Sequence, residues 1–115
     1  MDEERMTERT ARAVAVAQAA WVEANRGLPS NPMTRAAAIP ATGVLAAALL
    51  AHLDLDDATL ATRTRQAVAV ARRAWQRTHT ESGGNPIAAT AEKSVIGILA
   101  AAILSQPEAW IADGG

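Results

Sequence analysis

The stretch AVAVAQAAW at residues 13–21 returns as AVAVARRAW at residues 67–75, closed each time by tryptophan. Taken alone, AVAVA alternates like a strand. It lies, however, inside about twenty residues without Gly or Pro, filled with Ala, Arg, Gln and Glu, so length and composition decide for helix. On a helical count Met6, Thr10, Ala13, Ala17, Ala20 and Ala24 form one stripe at steps of three and four, flanked by Val14, Trp21 and Leu28. That stripe is the expected inner face.

The likeness reaches beyond the quoted phrase. Residues 9–52 align with 63–106 without a gap, pairing Trp21 with Trp75, Asn31-Pro32 with Asn85-Pro86, and Gly43 with Gly97. In each copy glycine ends the first helix (Gly27; Gly83 and Gly84), and Asn as N-cap followed by Pro opens the second. One such hairpin cannot cover its own apolar face. The expected fold is therefore all-α: a four-helix bundle made from an internally duplicated helical hairpin with a repeat offset of 54, pseudo-two-fold, with a short C-terminal helical turn.

Residues 1–115 read as a single domain, with copy one at about 4–53, copy two at about 57–106 and the turn at 106–112. The helices are expected at 4–26, 33–53, 57–80 and 86–105. Between the copies, Asp54 to Asp57 offers an N-cap and negative charge at the positive end of the third helix. Ser105 to Glu108 reads as a capping box opening a turn that carries Trp110 and Ile111. Pro40 lies inside the second helix, which must either kink there or begin there.

A chain of 115 residues without cysteine, with formal charge −1, has neither a disulfide framework nor a global attraction to nucleic acid or anionic lipid. The acidic start MDEERMTER lacks the pattern of an export signal, and no apolar run approaches the ~20 residues of a membrane span, so a soluble cytoplasmic chain without membrane contact is expected. The only aromatics are Trp21, Trp75 and Trp110, which leaves Ala, Val, Leu and Ile to build the core.

Candidate chemistry is sparse: two histidines (His52, His79), one lysine (Lys93), no tyrosine and no known catalytic or nucleotide-binding motif. His52 stands near Asp54, Asp56 and Asp57, but the spacing suits helix caps better than metal ligands. A non-catalytic protein with no cofactor and no metal is expected. Arg65, Arg72, Arg73 and Arg77, in a stretch with no acid between Asp57 and Glu81, support a second reading as a nucleic-acid-associated regulator. A third is a small-ligand binder or enzyme with a pocket near Trp21 or Trp75.

Residues two apart on a helix point about 200° from one another, so if Val14 and Val68 face inward, Val16 and Val70 face outward. The fourth helix spreads Val95, Ile96, Ile98, Leu99 and Ile103 over more than half its circumference, and Gly43/Ala47 and Gly97/Ala101 place small residues four apart. Val16, Val70, Gly43, Ala47, Gly97, Ala101, Val95 and Ile98 are thus the expected interface of an assembly module. Its partner is a second copy, with a two-fold dimer the economical form, or another helical protein.

Overall fold

Asp2 opens the first helix, α1 (Glu3–Ala24), its carboxylate accepting from the Arg5 amide at 3.2 Å while Glu3 and Glu4 stand at the positive end of the helix. The computed structural model describes residues 1–28, 32–79 and 86–111. After α1 the chain turns at Gly27, whose φ of 85° belongs to the left-handed region. Next comes α2 (Pro32–Leu49), which tightens into a 3₁₀ turn at Leu50–His52. Asp56 caps α3 (Asp57–Thr78) by accepting from the Thr59 amide at 2.7 Å, and its bonds to Thr59 hold its carboxyl below the usual aspartate range. Last are α4 (Pro86–Leu104) and a 3₁₀ turn at Pro107–Trp110.

The chain is all-α and compact, with four helices and no strand among the described residues. Asn31, Asn85, Gly83 and Gly84, expected as caps and stops, lie outside those residues. The helix begins at Pro32 and runs through Pro40, so Pro40 is not its start. Ala36 and Pro40 are both exposed, leaving water access to the carbonyl that Pro40 fails to bond. The capping box does not form. The Ser105 hydroxyl donates backwards to the Ala102 carbonyl at 2.6 Å, closing α4, and Gln106 precedes the final turn with no side-chain cap.

The helices are neighbours in the ring α1–α2–α4–α3, with α2 against α4 the most extensive contact. Their shared core is largely alanine (Ala13, Ala17, Ala41, Ala67, Ala71 and Ala100), with Leu45, Leu49, Leu60, Val68 and Leu104 enclosed among them. Alanine contributes little apolar area, so these helices must approach closely to exclude water. The tightest approach is at Gly97. A Cβ there would stand 2.6 Å from the Ala41 Cβ and 2.9 Å from its Cα, whereas one at Gly43 would meet nothing within 4 Å.

The two helices written alike are not buried alike. Val16 is 7% exposed and belongs to the core, while Val14 is only half-buried; in α3 the order is reversed, with Val68 enclosed and Val70 43% exposed. Counting 100° per residue, the buried arc of α1 (Ala13, Val16, Ala17, Ala20, Trp21) is turned by roughly 40° from that of α3 (Leu60, Thr64, Ala67, Val68, Ala71). Val16 was expected to face outward. It faces inward because the premise that Val14 does so fails: Val14 is only half-buried, and the buried arc through Ala13, Ala17 and Ala20 extends to the Val16 side of the helix instead.

One side chain fastens α1 to the segment between α2 and α3. Arg12 donates from Nε to the Asp57 carboxylate at 2.7 Å, from Nη1 to the Leu53 carbonyl at 2.6 Å and from Nη2 to the Leu55 carbonyl at 2.6 Å. A planar guanidinium suits this three-pointed task, which a lysine ammonium could not match in geometry.

Glycine substitutions test the packing. Gly97→Ala is expected to destabilise by about 1–3 kcal/mol, because Ala41 backbone and side chain must both give way. Gly43→Ala, with open space and a better helix former, is expected to gain up to about 1 kcal/mol. Urea unfolding of the two variants should move the midpoint in opposite directions.

Candidate functional site

Polar side chains from three helices meet where α1 ends. Its last carbonyls carry the negative end of the helix dipole, and α1 has no basic residue in its final turn to offset it. The cations come instead from elsewhere in the sequence. Arg72 on α3 donates to the Ala24 carbonyl at 3.2 Å and to Asn25 Oδ1 at 2.8 Å. Lys93 on α4 donates to the same Asn25 oxygen at 3.3 Å, and Asn25 Nδ2 donates to the Trp21 carbonyl at 2.8 Å. Two cationic donors on one side and a carbonyl on the other fix which way the amide points.

Both cations lie partly out of water. Burial pushes the Arg72 guanidinium below its ordinary range; burial, and then the Arg72 charge, do the same to the Lys93 ammonium. Beside them opens a cleft of about 320 Å³ with Trp21, Asn25, Leu28, Ala38 and Lys93 in its wall and Arg26 and Arg35 at its edge. None of its lining residues among the described ones is acidic. Arg26 is balanced by Glu23 at 2.7 Å.

The other expected residues are scattered. Gly43, Ala47, Val70 and Ile98 are exposed, Val95 and Ala101 are half-buried, and Val16 and Gly97 are in the core. Gly43 and Ala47 belong to a longer outer stripe on α2 and the 3₁₀ turn after it: Ala36, Ile39, Pro40, Gly43, Ala47 and Ala51 recur at helical spacing, all exposed. Pro32–His52 is a helical stretch of 21 residues, long and apolar enough by composition to cross a bilayer, with 33% of its apolar window buried. This corrects the expectation that no apolar run approaches the length of a membrane span. Core helices of soluble proteins reach the same length and apolarity but are mostly buried, whereas this one is buried over about a third of its window.

Arg65 bonds Thr62, Arg72 is spent on the end of α1, and Arg73 and Arg77 are exposed. His52 is stacked on Trp110 with ring centres 3.9 Å apart, and the Trp110 indole donates to the Leu104 carbonyl at 2.7 Å. Of its aspartate neighbours, Asp56 caps α3 and Asp57 holds Arg12. Trp21 is 4% exposed and forms part of the cleft wall. Trp75 is half-buried and stacked on His79 at 3.7 Å.

Sequence reasoning missed Arg12 and Asn25. Asn25 carried a usable signal, since a polar residue just before Gly27 is a common helix C-terminal bracket. Arg12 carried none, because its partners lie more than forty residues away. Comparison with protein-family models, with curated proteins and with solved structures finds no match to the chain.

Removing the shared amide isolates its charge effect. Asn25→Ala is expected to cost about 1–3 kcal/mol, since it strips an acceptor from two partly buried cations and a donor from the end of α1. Asn25→Asp, which keeps the acceptor and adds a counter-charge but sets a carboxylate oxygen against the Trp21 carbonyl, should recover only part of that loss at neutral pH in denaturant unfolding.

Proposed function

We propose that this chain is a non-catalytic helical module that associates with a second copy of itself through the outer face of α2. The observation that carries this reading is the exposed stripe Ala36, Ile39, Pro40, Gly43, Ala47 and Ala51, along α2 and the 3₁₀ turn after it, with no charged side chain between Arg35 and His52. An uncharged apolar face of that length is a recognised mark of protein contact. A two-fold dimer lays the stripe against itself, and the small side chains of Ala36, Ala47 and Ala51 let the two helices approach closely. Ile98 and Leu99 on α4, the helix packed against α2, add to the exposed apolar surface at 56% and 36%.

In the same reading the chain is a duplicated helical hairpin with approximate two-fold symmetry. Its supports are the gapless alignment of 9–52 with 63–106 and the pairing of corresponding helices, α1 beside α3 and α2 beside α4. The roughly 40° turn of α1 and the unequal surroundings of Gly43 and Gly97 are then divergence between copies.

The arginine-rich reading of α3 has less behind it. Arg72 has its donors committed within the chain, and Arg73 and Arg77 lie roughly 80–120° around the helix from Arg65.

Light scattering across a size-exclusion column decides between these readings. The expected mass is twice the 12.0 kDa chain, unchanged by salt, with Ala47→Glu reducing it to a monomer of undiminished helix content. Val16→Glu should instead unfold the chain, since that residue is in its own core. A wild-type monomer at all concentrations, or a dimer that survives Ala47→Glu, overturns the proposal.

A further inference from the structure

The cleft beside Trp21 has a feature that neither the fold nor the association requires: among the described residues, Lys93 and Arg72 share one neutral amide oxygen and have no carboxylate partner. Arg72 completes the carbonyl end of α1 and takes Asn25 Oδ1 at 2.8 Å. Among the described residues Lys93 reaches that same oxygen alone, at 3.3 Å, and lies in the wall of the cleft. Arg35 stands on the cleft wall as well and forms no ion pair among the described residues. Two like charges on one amide oxygen, partly withdrawn from water, favour any anion that reaches them. We propose that this cleft binds a small organic monocarboxylate with an apolar body, its carboxylate on Lys93 and its body against Trp21, Leu28 and Ala38.

The chemistry of the wall selects that class. A cleft of about 320 Å³ is at the small end of ligand sites, and a ligand of roughly ten heavy atoms suits it. Trp21, Val22, Leu28 and Ala38 provide an apolar surface for the body. Phosphate is a poorer match. The cleft lies at the carbonyl end of α1, where the helix dipole opposes added negative charge, so a group with one negative charge suits it better than one with two. No proton or bond is exchanged; the carboxylate replaces water at the ammonium and Trp21 stays in place as a wall.

Octanoate is a suitable probe, titrated calorimetrically into the intact chain with inorganic phosphate and 1-octanol as controls. Saturable one-to-one binding is expected, weakened about tenfold in Lys93→Gln, the loss of one charge-assisted hydrogen bond. Arg35→Gln, on an exposed side chain whose loss leaves the core intact, should weaken it by a smaller factor. Octanoate should raise the melting temperature of the wild type more than that of Lys93→Gln. Absence of saturable binding, equal affinity in Lys93→Gln, or binding of octanol or phosphate as tight as octanoate overturns the proposal. None of these readouts depends on whether the chain is a dimer.

Discussion

Alanine sets the terms of this fold. A core in which Ala13, Ala17, Ala41, Ala67, Ala71 and Ala100 are nearly inaccessible has few large side chains with which to bridge a gap, so the helices exclude water by proximity. The demand is sharpest at the crossing of α2 and α4, where Gly97 meets Ala41 and a single added methyl group has no room. The larger side chains, Leu45, Leu49, Leu60 and Leu104, fill what the close crossings leave.

Close packing of small residues leaves the helix ends and the connecting segments in need of polar fastening, and two arginines supply it. Arg12 gathers the Leu53 and Leu55 carbonyls and the Asp57 carboxylate, joining α1 to the passage between α2 and α3. Arg72 closes the end of α1 from α3. Both side chains are partly buried and use several donors at once, the geometry in which guanidinium contributes most. The second fastening gives the cleft its cationic character, because Lys93 of α4 comes to the same neutral amide oxygen and adds a second charge beside Arg72.

The helical class was legible because long Gly- and Pro-free runs and their Gly and Pro borders are local signals, written in consecutive residues. What was illegible depends on distance in the chain. Val16 and Val70 occupy matching places in matching phrases, yet one is enclosed and the other exposed, since the rotation of a helix about its axis is set by its neighbours and not by its own text. Ser105 to Glu108 has the letters of a capping box, but the Ser105 hydroxyl finds the Ala102 carbonyl closer to hand. The candidate cleft draws on residues 21, 25, 38 and 93, a grouping with no trace in local order.

The first eight residues, including the first two turns of α1, are exposed throughout, beyond the reach of the other helices. They hold their shape through Asp2 at the cap, the acids of the first turn and the Thr7 hydroxyl bonded back to the Glu3 carbonyl at 2.7 Å. Such a segment melts on its own account. Its amides exchange with solvent through fraying at small free-energy cost, while those beside Ala13 and Ala17 wait for global unfolding. α1 thus contains two thermodynamic units in one continuous helix, and the outer one is free to change sequence without disturbing the core.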